Sequence, residues 1–245
     1  IQITTENKND RFKKITKINN DYSKDSLDFL YQSVSYLTFV PEMERLFQSS
    51  PSYRRNFLDR LVFSSENNYN KLINKYTKAL HERIKILQNK NTDSDWLNNI
   101  EKEISTLGLE IYKFRYFLLT SINRNINILK NEHKFKFDVK LKIKDDFYNS
   151  NISYENYLSN LYDSRHYDTQ HGGTKIGPHR SDIKAIINND FDASQLSTGQ
   201  QKTIVLMILL AQCDFLVNHK NINPILLFDE IASHLDTDNR QILLD

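Results

Sequence analysis

Two short stretches hold residues whose types and spacing suit phosphate chemistry. In the first, LSTGQ at residues 196–200, Ser197, Thr198 and Gly199 stand just ahead of the apolar run 204–211, so small polar residues open a helix. A helix start offers unpaired backbone N–H groups and the positive end of the dipole, which together attract phosphate. Gly199 lets a ligand approach the backbone and Ser197 adds a hydroxyl, although the same residues would also serve an ordinary helix cap. The second stretch, ILLFDE at residues 225–230, is an apolar strand ending in two carboxylates. Asp229, fixed at the strand's C-terminal edge, can orient Mg²⁺ or its water shell, and Glu230 can polarise an attacking water. Acidic turn residues can also end a strand without doing chemistry, so the pair gains weight from its company. SHLD, residues 233–236, follows soon after Glu230.

The elements that must position these groups fall into three zones. Residues 1–50 read as mixed: a strand at the start, a charged turn, then a helix over residues 25–36. Residues 51–165 read as a helical insertion. Pro51 and Ser52 mark a helix start, and Tyr69, Leu72, Ile73, Tyr76, Leu80, Ile84 and Leu87 recur at helical spacing. After the polar break NKNTDSD, Leu97, Ile100, Ile104, Leu107, Ile111, Phe114 and Leu118 step alternately by three and four, a heptad seam. Two such helices joined by a short loop should pack antiparallel. Period-two alternation through Phe135, Phe137, Val139, Leu141 and Ile143 then returns the chain to a sheet. In the third zone, residues 166–245, Gly172, Gly173 and Gly177 predict tight turns about a short strand, with DIKAIIN as its hairpin partner. The run 225–228 reads as a strand buried on both faces, as in a parallel sheet. The fold class expected is therefore α/β with an inserted helical lobe.

Bulk properties exclude several classes. A single cysteine, Cys213, rules out a disulfide within the chain and suits a reducing, cytoplasmic setting. The run 204–211 is short of the roughly 20 apolar residues of a membrane span. Net charge is only +2, so no global basic field argues for nucleic acid, though Arg54, Arg55, Arg60 and Arg180 are candidates for local phosphate contacts. Arg54 and Arg55 have an equally good structural reading as ion-pair anchors to residues such as Asp59 or Glu66.

Taken together, LSTGQ, ILLFDE and SHLD resemble the signature motif, Walker B strand and D-loop of ABC-type ATPase heads. Two further stretches, FVPEMERLFQSSPSYRRNFLDRLVF (residues 39–63) and GGTKIGPHRSDI (residues 172–183), resemble the bacterial RecF family. The resemblance implies an ATPase head that dimerises around ATP on DNA, with the signature loop of one subunit capping the γ-phosphate held by the other. It implies that Ser197 and Gly199 donate to that phosphate, with Thr198 and Gln200 completing the loop. Asp229 would hold Mg²⁺, Glu230 would act as general base, and Ser233, Leu235 and Asp236 would line the dimer seam. The partners implied are single- and double-stranded DNA at gaps and junctions, bound without sequence preference, a second copy of the protein, and recombination mediator proteins.

The sequence departs from that pattern in one respect, because no G-x-x-x-x-G-K-[ST] phosphate cradle occurs in it. The chain is read as a segment of a longer protein, and the 245 residues alone are expected neither to bind ATP tightly nor to hydrolyse it. His171, His179 and His234 are not expected to supply the family's switch histidine. A degenerate head serving as a non-catalytic scaffold is the competing reading. A transporter ATPase is disfavoured by the long helical insertion and by GPHR.

Overall fold

The computed structural model describes residues 2–8, 11–23, 25–26, 29, 34–89, 94–133, 137–147 and 152–231. Strands β1 (Gln2–Lys8) and β2 (Arg11–Lys17) form an antiparallel ribbon in register from Gln2 opposite Lys17 to Lys8 opposite Arg11. Strand β3 (Tyr36–Phe39) leads into a 3₁₀ segment, Pro41–Gln48. Of the helix expected over residues 25–36, positions 25–26 and 29 are helical, and Tyr36 instead opens β3, where pairing with a distant strand overrides local preference. Val34 and Ser35 are not helical either, and residues 27–28 and 30–33 lie outside the described residues.

Helix α1 (Pro51–Ser65) starts where Pro51 and Ser52 predict, with the Ser50 hydroxyl accepting from the Tyr53 N–H. Helix α2 (Tyr69–Gln88) and the long helix α3 (Ser94–His133) form the expected antiparallel hairpin. Tyr69, at the start of α2, meets Phe114 and Arg115, whereas Arg83, near its end, meets Glu101. The heptad seam is the buried stripe of α3, with Leu97, Ile100, Ile104, Ile111 and Leu118 all buried. The helix outruns that seam, and Ile122 and Ile126 continue its buried side where it packs on α5 (Thr198–Lys220).

Strand β4 (Val139–Lys144) pairs antiparallel with β5 (Asp182–Ile187), which pairs in turn with the short β6 (Phe191–Asp192). Helix α4 (Tyr154–His171) lies between β4 and β5 in sequence and ends on Gly172 in the left-handed conformation, φ 66°. Two expectations are corrected. The partner of DIKAIIN is β4 rather than a strand within residues 172–177. Those residues form a loop because their polar groups are taken by side chains, the Lys175 N–H by Asp168 and the Thr174 carbonyl by His179 and Arg180.

The second correction concerns β7 (Ile225–Phe228). It is parallel to β3 as an α/β fold requires, but Ile225 and Leu227 are each 52% exposed. Among the described residues β3 is its one strand neighbour, so its apolar side chains are covered incompletely. Helix α5 is the opposite case. Its 23 residues, with a mean hydropathy of 1.3 over the best window, are long and apolar enough to cross a membrane. Here they form the central core element, almost continuously buried from Gln201 to Leu209 against α3, α1 and the 3₁₀ segment.

Candidate functional site

The start of α5 and the end of β7 are drawn together by the 3₁₀ segment between β3 and α1. At the helix start Ser197 is extended (φ −62°, ψ 160°) and closes a capping box: its Oγ accepts from the Gln200 N–H at 3.3 Å, and its own N–H donates to Gln200 Oε1 at 3.0 Å. The Ser197 oxygen therefore serves first as a cap acceptor, with its hydroxyl proton still available to donate. Helix geometry directs the N–H groups of Thr198 and Gly199 out of the first turn. Arg45 Nε donates to Thr198 Oγ1 at 3.3 Å, and Gln48 Nε2 to the Ser194 carbonyl at 3.0 Å, so both sides of the loop rest on the 3₁₀ segment.

At the strand end the Asp229 N–H donates to the Phe39 carbonyl at 3.0 Å, extending the β3–β7 ladder by one bond and leaving the carboxylate exposed. Glu230, also exposed, takes a left-handed backbone with φ 51°, a conformation that costs a non-glycine residue about 1 kcal/mol. Its carbonyl accepts from Lys202 Nζ at 2.9 Å, and the same ammonium reaches Glu44 Oε1 at 2.7 Å. Lys202, Glu44 and Arg45 are not among the residues that motif reading picks out. The available signal was a lysine placed where the apolar stretch of α5 is already buried. Ser233, Leu235, Asp236 and His234 lie outside the described residues. Among the described residues no cluster of three or more histidine, cysteine or acidic side chains could hold a metal ion.

The four candidate arginines separate clearly. Arg54 grips Asp182 with Nε and Nη2, both at 2.7 Å, and gives Nη1 to the carbonyls of Phe47 and Ser49. Its guanidinium is spent inside the fold, joining α1 to β5, and its pKa is raised by the Asp182 bond. Arg55 donates to the Ser181 carbonyl at 2.9 Å, and burial together with nearby Arg115 pulls its pKa below the ordinary arginine value. Neither pairs with Asp59 or Glu66, which belong to Arg115 and Lys220. Arg60 and Arg180 are exposed, the latter holding the Thr174 carbonyl through Nε.

GPHR forms a polar knot behind this face. Gly177 has φ 121°, and a Cβ there would lie 2.1 Å from the Tyr157 hydroxyl and 2.3 Å from that of Tyr76. His179 Nε2 lies 2.9 Å from the Thr174 carbonyl and must donate, so Nδ1 accepts from Tyr76 at 2.8 Å, and Tyr157 donates to Tyr76. Burial pushes the His179 ring down to about 4, with Arg180, Arg55 and Arg115 adding to the effect against the bond to Thr174. The ring is neutral near pH 7 and is no exposed switch histidine. The Pro178 carbonyl accepts from Arg115, which also pairs with Asp59, and Arg83 binds Glu101, Asp168 and Thr174.

Scanning known family models gives no match. Similarity to individual proteins is extensive: 33% identity over 249 residues to DNA replication and repair protein RecF of Rickettsia massiliae, spanning 100% of this chain and 68% of that protein. RecF of Rickettsia prowazekii is 34% identical over 248 residues, again with 68% of its length covered. The chain belongs to the RecF family. The fold agrees. The RecF–ATP structure of the recombination mediator protein in the RecFOR pathway superposes with a TM-score of 0.79 at 24% identity, covering 95% of this chain and 64% of that one. The RecF–ATPrS structure of the same protein gives 0.77. The chain thus spans about two thirds of the length of its RecF relatives, and the α/β architecture with its helical hairpin is that of RecF.

Proposed function

We propose that this chain is the larger part of a DNA-repair ATPase that closes as a dimer around ATP on DNA. The observation that carries this reading is the α5 start: a small-residue loop, capped from within, supported from below by Arg45 and Gln48, and presenting its first amides outward. Such a surface suits a phosphate that approaches from outside the loop, because the unpaired amides and the dipole of the helix start face it. In this reading Ser197, Thr198, Gly199 and Gln200 cap the γ-phosphate in trans, and Ser233, Leu235 and Asp236 line the seam between subunits. Asp229 is an exposed carboxylate on an anchored backbone. A single carboxylate of this kind suits Mg²⁺ that arrives with phosphate oxygens and keeps much of its water. When bound, the ion would neutralise charge developing on the phosphates. Glu230 accepts the proton of the attacking water.

For DNA, Arg60 and Arg180 are the exposed candidates and Arg55 a half-buried one, and contacts to phosphate alone would be salt-sensitive and indifferent to sequence. Gapped or junction DNA, recombination mediator proteins and a cytoplasmic setting belong to the same proposal, as does the division into head portions at residues 1–50 and 166–245 around an inserted lobe at 51–165. The test uses the full-length protein. Glu230→Gln should abolish ATP turnover and retain ATP-dependent dimerisation, and Ser197→Arg should retain nucleotide binding and lose the dimer. Unchanged turnover in the first, or unchanged dimerisation in the second, would sink the assignment, and a parent protein without turnover would favour a scaffold.

A further inference from the structure

Lys202 is a fully buried lysine in the first turns of α5, and its ammonium ends where three other elements meet. Nζ lies 2.7 Å from Glu44 Oε1 in the 3₁₀ segment, 2.9 Å from the Glu230 carbonyl beyond β7, and 5.3 Å from the centre of the Phe39 ring in β3. Removing an ammonium from water costs several kcal/mol, and a lysine kept for packing alone could be replaced by an apolar residue. Two further bonds give the placement direction. The Phe39 carbonyl, from the strand whose ring faces Nζ, holds the Asp229 N–H, so the peptides before and after the Asp229–Glu230 pair are both anchored. Arg45, the neighbour of Glu44, reaches Thr198 in the loop that opens α5. One dipeptide, Glu44–Arg45, therefore touches both the phosphate-facing loop and the lysine that holds Glu230.

We propose that Lys202 is a positioning residue for hydrolysis: clamped by Glu44, it fixes the left-handed backbone of Glu230 and ties that acid to the helix whose first turn contacts phosphate. The proposal rests on the reading of Glu230 as general base. Its content is mechanical. A shift of α5 when its loop meets a nucleotide is passed through Nζ to the Glu230 peptide, so closure at one site sets the acid of the same subunit's own site. Lys202 touches neither nucleotide nor water in this scheme. Its effect should therefore fall on kcat with KM little changed, since a small misplacement of a reacting group costs rate steeply.

The experiment measures ATP affinity, kcat, KM and thermal stability in the full-length protein for Lys202→Met, Lys202→Arg and the double variant Lys202→Met/Glu44→Leu, with Glu230→Gln alongside. Lys202→Met should lower kcat at least about tenfold with KM within about threefold, and Lys202→Arg should recover part of the loss. The double variant replaces a buried ion pair by apolar groups of similar size, a change that often restores stability, so it separates folding from positioning even where Lys202→Met alone unfolds. It should regain stability and stay slow. Turnover returning together with stability would overturn the proposal, as would full activity in Lys202→Met. If Glu230→Gln itself hydrolyses ATP normally, the reading of the site fails instead.

Discussion

The polar knot around Gly177 and the face joining α5 to β7 are both rich in charged groups, yet they use them in opposite ways. In the knot, Arg83, Glu101 and Asp168 are almost wholly buried and bonded to one another, and the Tyr157–Tyr76–His179–Thr174 chain gives each donor an acceptor. At the α5–β7 face the carboxylates of Asp229 and Glu230 and the loop at Ser197 stay exposed, and the buried cation there, Lys202, divides its bonds between the Glu44 carboxylate and the Glu230 backbone carbonyl. The difference teaches how the molecule divides its labour. Charge that is fully paired inside fixes one arrangement of helices, whereas charge left at strand and helix ends is available to a ligand. Substitutions in the knot should therefore read out as stability, and substitutions at the face as activity.

The strongest attempt to break that contrast is Arg83→Met, which leaves Glu101 and Asp168 buried without their shared cation. Removing one partner of a buried network costs about 3–5 kcal/mol, so urea denaturation should show a loss of that order. A loss below about 1 kcal/mol would mean that the knot is not what holds α2, α3 and α4 together. Gly177→Ala comes next. The new methyl would collide with two hydroxyls that have partners of their own, at a φ of 121°, and strain with overpacking together suggest about 3 kcal/mol. A melting temperature equal to that of the parent would show that the loop can relax.

The knot should also carry a pH signature. His179 titrates near 4 in the folded chain against an ordinary 6.5. The unfolded chain therefore binds more protons between those values, and stability contributed by the neutral ring is complete above about pH 6.5 and drains away as pH falls toward 4. The difference amounts to roughly 3 kcal/mol at most. Denaturation measured across pH 7 to 4 should show a slope that His179→Gln flattens, and an unchanged slope in that variant would assign it to other groups.

How much of this was legible in the sequence follows the same divide. The helical hairpin could be read because the apolar residues of α2 and α3 repeat at one period for many turns, and the α5 start because Ser197 and Gln200 are a local capping pair. The partner of β5 was not legible. Glycines at 172, 173 and 177 signal turns, but nothing local says that Asp168, seven positions ahead of Lys175, will take that residue's amide and leave β5 to pair with β4. Arg54 was ambiguous for a related reason, since its partner Asp182 lies across the fold rather than within a helical turn. Lys202 was hidden because a lysine in a sequence is ordinarily a surface residue, and its burial follows from three elements converging on it.

The smallest stability effect is expected where the functional effect is largest. Ser197→Ala removes one side-chain cap, worth about 1 kcal/mol, and the helix it caps is held by a buried face that runs far beyond its first turn. Thermal denaturation should therefore shift only slightly. The same substitution removes a hydroxyl the loop can offer to an incoming phosphate and loosens the Gln200 N–H that the cap orients. If the face is a ligand surface, ATP-dependent dimerisation of the full-length protein should weaken by at least about tenfold, more than the cap alone accounts for. A dimer affinity that falls only in proportion to stability would make Ser197 another structural residue, and would erase the contrast between the two regions.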